Sequence, residues 1–197
     1  MSKHNDALKR SGTTVRKVVS AILATWNAST ASERERGAQW YGEAGAIAES
    51  LASNHGHKVE TVAAVIAHCS PQLQWGRNVA AAAEIVSSGG RIAGLMSTSY
   101  ANAMRALEAS DPLATLNGPK VRRFAANILG DEGAVTVDVW ASRVALPGRD
   151  DHQRVIARSG VYAALEHCYR LAAARVGVAP ATMQATTWIV ARNGRHA

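Results

Sequence analysis

Cysteine is scarce in this chain. Cys69 and Cys168 are the only two in 197 residues, too few for a four-ligand metal cluster or a disulfide framework. A bridge between them is unneeded in a cytosolic protein, so both read as small buried hydrophobes. The seven histidines show no metal spacing such as H-x-x-x-H. Hydrophobic residues make up 47% of the chain, yet no apolar run reaches membrane-spanning length. Met1-Ser2-Lys3-His4-Asn5-Asp6 lacks the apolar core of a signal peptide. Strand signals are almost missing, since only Val135-Thr136-Val137 hints at one, too short and solitary to build a sheet. No repeat, long linker or low-complexity tract breaks the chain.

What is present is positive charge and helical periodicity. The net charge is +7 with a pI near 9.9, a balance that suits a polyanionic partner. Residues 1–12 are polar and expected to fray. Val15, Val18, Val19, Ile22 and Leu23 mark a helix ending near Asn27. The next helix runs to about Ser53, with Trp40, Ala44, Ile47, Ala48 and Leu51 on one stripe. Its start is capped by Thr30 with Glu33, or by Ser32 with Glu35, at capping-box spacing. Val59, Val62, Val65 and Ile66 mark a third helix, which Ser70-Pro71 ends. A fourth spans about Gln74 to Val86, and two short ones lie near Ile92–Met96 and Tyr100–Ala109. Past the polar Pro147–Asp151 loop, a helix begins near Ser159-Gly160 and stops at Gly177. The last opens at Pro180 and ends at Asn193-Gly194. The reading is all-α, one domain over residues 1–197. The first and last helices form one lobe, about 30–115 the other, with 116–145 between them.

The most informative stretch runs from Leu116 to Val144. Gly118-Pro119 is a helix-start signal. Val121, Phe124, Ala125 and Ile128 then make an apolar face, while Lys120, Arg123 and Asn127 recur on a polar one. Gly130 suits the left-handed residue that ends a helix. Val135-Thr136-Val137 delivers Asp138 to the start of another helix carrying Val139, Trp140 and Val144. Asp138 is well placed as an N-cap, a role worth about 1 kcal/mol. Lys120 precedes it by eighteen positions.

This arrangement resembles the helix-hairpin-helix DNA glycosylase superfamily, the endonuclease III-like enzymes. Their hairpin reads roughly L-P-G-V-G-x-K and is followed by a helix and a V-D-T-H-type segment. Here Leu116 stands in place of the first hairpin glycine, and Trp140 in place of the histidine after the aspartate. The C-terminal cysteine cluster that holds iron–sulfur in many relatives is missing, so no cofactor is expected. The resemblance implies a two-lobed helical fold that binds duplex DNA, flips out a nucleotide and cleaves its N-glycosidic bond. Asp138 would be the catalytic carboxylate. Lys120 would be the amine that attacks C1′ and permits strand cleavage. Asn117, Gly118, Pro119, Arg122 and Arg123 would grip a DNA phosphate.

A second unusual patch is Ser70-Pro71-Gln72-Leu73-Gln74-Trp75-Gly76-Arg77-Asn78. Gln72 and Asn78 are candidates to read a base edge and Trp75 to stack on it, with Trp140 completing the pocket. The combination with G-P-K and V-T-V-D also looks like small phage-encoded glycosylase-fold proteins. That wider class includes the α-glutamyl/putrescinyl thymidine pyrophosphorylases, which modify DNA bases without excising them. The expected location is accordingly cytoplasmic, in a phage's bacterial host or at the bacterial nucleoid. A third reading is a non-catalytic helix-hairpin-helix DNA-binding module with Asp138 as a cap alone. Trp40-Tyr41 and Gln184 with Trp188 read as core packing, and His68 as structural.

Overall fold

The computed structural model describes residues 3–193, all helices and connections with no strand among them. Eleven helices follow in order: α1 (Lys3–Arg10), α2 (Val15–Asn27), α3 (Ala31–His55), α4 (Val59–Cys69), α5 (Trp75–Ser88) and α6 (Ser97–Glu108). After a 3₁₀ turn at Leu113–Thr115 come α7 (Pro119–Ile128), α8 (Val139–Ala145), α9 (His152–Ala157), α10 (Val161–Val176) and α11 (Pro180–Arg192). The chain is all-α, as its periodicity implies. Two compact units emerge: residues up to Tyr41 with those from Glu132 onward, and Gly42–Asp131.

The first unit is built on α10, which packs against α1, α2, α9 and α11. Its buried face includes Leu165, Cys168, Tyr169 and Ala172, set against Leu8, Val19, Ile22 and Met183. Two tyrosines of α10 fix what lies next to them. The Tyr162 hydroxyl accepts the Val137 amide at 2.9 Å and donates to the Val135 carbonyl at 3.4 Å. The fully buried Tyr169 donates to the Ala141 carbonyl at 2.9 Å. The extended 135–137 segment is thereby pinned, and with it the start of α8. The capping box at α3 uses Thr30 and Glu33. Glu33 Oε2 accepts the Thr30 amide at 2.8 Å, and Thr30 Oγ1 accepts the Glu33 amide at 3.2 Å.

The second unit is organised on α4, which touches α5, α6 and α7. All residues from Thr61 to Cys69 are buried, so α4 is enclosed on every side rather than along the single stripe its valines suggest. The free thiols of Cys69 and Cys168 are both buried, and burial pushes each up to about 12. They are packing groups.

Four expectations need correction. Residues 3–10 do not fray; they form α1, because Ala7 and Leu8 suffice to dock it into the core. Ile92–Met96 is a turn, since Gly94 sits at φ +83°, outside any helix. The Arg91 Nε also bonds the Leu95 carbonyl at 3.1 Å. Helix α9 goes unannounced: its six residues are too few to show a period. Asn127 leaves the polar face of α7 and is buried, donating to the Asp131 carbonyl at 2.8 Å. The end expected at Gly194 falls outside the described residues.

Gly37 explains how α3 reaches α11. A Cβ there would lie 2.7 Å from the Thr186 Cα, backbone that cannot rotate away. Gly37→Ala is expected to destabilise the chain by at least about 1–3 kcal/mol through overpacking. Urea unfolding of the two proteins measures this, and an unchanged midpoint would contradict the close approach.

Candidate functional site

Asp138 caps α8 with extended backbone angles, and its Oδ1 accepts the Ala141 amide at 2.7 Å. Its other oxygen is also engaged. Trp188 of α11 donates its indole Nε1–H to Oδ2 at 3.0 Å. An aspartate serving only as a cap needs one acceptor, which serine, threonine or asparagine supplies equally well. Two separate donors, one on each oxygen, use both acceptor atoms of a carboxylate, where asparagine, serine or threonine offers one oxygen. Asp138 is half-buried, so its orientation is fixed while part of it remains open.

Aromatic rings surround this carboxylate. Trp188 meets Trp40 edge-on, with ring centres 5.8 Å apart, and Trp40 meets Tyr41 in the same way at 5.0 Å. The Tyr41 hydroxyl donates to Gln184 Oε1 at 2.6 Å. Burial pushes the Tyr41 hydroxyl well above its ordinary range, and the charge of Asp138 adds to the effect. Tyr169 is raised for the same leading reason. Both phenols are therefore protonated donors at neutral pH and not bases. Trp140 is half-buried, with the Arg143 guanidinium 4.4 Å and that of Arg192 5.8 Å from its ring centre. The chain thus places an oriented acceptor at Asp138, an indole donor on it, and two cations on the Trp140 and Trp188 rings.

The second unit brings together two motifs that lie fifty positions apart. Gly118 at φ +85° turns the chain into α7, a conformation that favours glycine, and Pro119 follows at the first helical position. Asn117, Gly118 and Pro119 are exposed and Arg123 is half-buried. Arg122, also exposed, folds back to donate its Nε–H to the Leu116 carbonyl at 2.8 Å. Lys120 is half-buried, and its Nζ donates to Ser70 Oγ at 2.8 Å. Trp75 meets Phe124 of α7 edge-on at 6.2 Å. The G-P-K turn and the S-P-Q-L-Q-W segment therefore form one structure. Within it Gln72 is exposed with φ +60°, a conformation rare for a side-chain-bearing residue. Asn78 is 2% exposed, and its Oδ1 finds no hydrogen-bond partner, a state that costs about 1–3 kcal/mol. His68 is buried and bonded to Thr115 Oγ1 at 3.1 Å. Burial, then the nearby Arg105 charge, holds its pKa below the ordinary value.

Of the residues singled out in the sequence, Asp138 and Trp140 lie in the first unit. Lys120, the hairpin and the Gln72–Asn78 patch lie in the second. Trp40, Tyr41, Gln184 and Trp188 carry the sequence pattern of packing residues, yet Trp188 touches the carboxylate directly. Their spacing within each helix gives no hint of this, because the partner of Trp188 lies fifty residues away. The Ser142–His152 pair (3.0 Å apart) invites comparison with a nucleophile and base, but both residues are buried. Among the described residues, no three His, Cys, Asp or Glu side chains are grouped to hold a metal ion. Nor is any helix long and apolar enough to cross a membrane.

The model of a family of unknown function, DUF7178, matches residues 4–195. The chain belongs to that family. No curated protein and no solved structure matches it. In this DUF7178 member the match covers both units, so Asp138 with its tryptophans and Lys120 with its serine lie alike inside it.

The paired donors on Asp138 make a measurable prediction. In Asp138→Asn the amide group faces at least one N–H with another N–H, at a cost of about 1–3 kcal/mol. Trp188→Phe removes one of those donors. The double variant should therefore be less destabilised than the sum of the singles, with a coupling of about 0.5 kcal/mol or more in urea unfolding. Strict additivity would show that the indole and the carboxylate do not interact.

Proposed function

We propose that this protein is a DNA-acting enzyme of the helix-hairpin-helix glycosylase type. It flips a nucleotide from the duplex and cleaves the N-glycosidic bond of a modified or damaged base. The observation that carries this reading is the carboxylate of Asp138, oriented by two donors and left partly open. Cleavage of an N-glycosidic bond builds positive charge on the sugar at C1′ and its ring oxygen. A preorganised carboxylate lowers the energy of that oxocarbenium-like state, or orients the attacking nucleophile. Capping and catalysis coexist here, because the cap is what fixes the carboxylate.

In this reading α6, the 3₁₀ turn and α7 supply the helix-hairpin-helix element. Amides at the α7 start, with Asn117 to Pro119 exposed beside them, would bind a backbone phosphate without reading sequence. Arg122 and Arg123 add positive charge there. The net charge of +7 favours the same partner. Gln72, Trp75 and Asn78 are the residues assigned to the extruded base, with Trp140 on the side of the carboxylate.

Lys120 would take the lyase part. A neutral amine at this position attacks C1′ as the base departs with its bonding electron pair. Loss of the amine proton and ring opening then leave an iminium, from which strand cleavage proceeds by elimination. The Ser70 hydroxyl on its Nζ would orient the amine.

The test is incubation of the full chain with duplexes carrying damaged, mismatched and phage-type modified bases, read by mass spectrometry. The expected result is loss of a base mass from at least one duplex. Borohydride should trap a covalent protein–DNA adduct that Lys120→Ala abolishes. A gain of mass in place of a loss would move the reaction to base modification. No change in any duplex, together with intact binding, would leave a DNA-binding module and overturn the catalytic reading.

A further inference from the structure

Four arginines of the first unit are held by ion pairs or hydrogen bonds. Arg149 and Arg158 pair with Asp151, and Arg170 pairs with Glu166. Arg34 lies over the Trp26 ring but spends its N–H groups on Ser29 Oγ and the Trp26 carbonyl. Arg143 and Arg192 differ. Arg143 lies over Trp140, while Arg192 reaches both Trp140 and, at 4.8 Å, Trp188. Among the described residues neither makes an ion pair or a hydrogen bond. Arg192 is exposed and Arg143 half-buried.

A ring face attracts a guanidinium but does not satisfy its N–H donors. Each ring contact is weak, while two cations sharing one indole repel each other. The arrangement thus orients two donor forks on the rings and leaves them open to an acceptor of opposite charge. Guanidinium forks match phosphate oxygens in bidentate geometry. The same Trp188 that carries Arg192 also binds Asp138. A free phosphate dianion beside that carboxylate is repelled more strongly than a singly charged diester.

The geometry points to a phosphodiester-binding site made by Arg143 and Arg192 on the Trp140 and Trp188 rings, adjoining Asp138. It rests on the DNA-acting reading for its ligand, and it is separate from the hairpin at α7. Its role is to hold the backbone of the strand whose sugar meets the carboxylate. The arginines are positioning residues, since they act on the phosphate and not on the bond that breaks.

The experiment is fluorescence anisotropy of a labelled duplex with the full chain between about 50 and 200 mM salt. Each phosphate contact contributes about 0.9 to the slope of log affinity against log salt. Arg192→Gln should lower that slope by about one, and Arg143→Gln/Arg192→Gln by about two. Arg192→Gln should stay folded at the assay temperature, because the exposed side chain makes no hydrogen bond and gives up only its ring contacts. An unchanged slope and affinity in Arg192→Gln would overturn the site, even if base release persists and the catalytic reading stands. A reduced slope with no base chemistry in the wild type would uphold the site while the catalytic reading falls. A wild-type chain with no salt-dependent DNA binding would remove both.

Discussion

The structure around the candidate site depends on one carboxylate shared between two donors. Asp138 ends the pinned segment 135–137, starts α8 through Ala141, and receives the indole N–H of α11. Two helices from separate parts of the chain, α8 and α11, meet on its two oxygen atoms. Tyr162 and Tyr169 of α10 fix the backbone on either side of that junction. Losing the acceptor would therefore disturb a helix start and an aromatic cluster together. The group is half-buried, so its remaining face is available to chemistry in a way that a fully enclosed cap is not.

Much of the secondary structure was legible because it obeys local rules. The stripe of α2, the capping box of Thr30 and Glu33, the glycine–proline start of α7 and the aspartate cap of α8 are each decided within one or two turns. What the sequence concealed is decided at a distance. Helix α1 looks too polar to order, and only the surface that receives Ala7 and Leu8 makes it worthwhile. Asn127 carries the period of a solvent-facing residue, yet its side chain is buried and donates to the Asp131 carbonyl. Trp188 reads as one more aromatic in a helix, because its acceptor lies fifty residues earlier. The contact between Lys120 and Ser70, which unites two motifs seen separately, is hidden for the same reason.

The positive charge is not a uniform coat. Part of it is neutralised in place, as at Asp151 and Glu166, and part is laid over tryptophan rings where it keeps its donors. Aromatic residues are few, ten of 197 (five Trp, four Tyr and one Phe). Three tryptophans and a tyrosine nevertheless gather around the Asp138 carboxylate or on its helix.

The most direct test is single-turnover base release by Asp138→Asn, set beside its duplex affinity at a temperature well below its melting point. The account predicts that binding survives nearly intact while release is lost, because asparagine can still cap α8 but carries no charge to stabilise the sugar cation. Release at the wild-type rate from the folded variant would contradict it and leave Asp138 a structural cap.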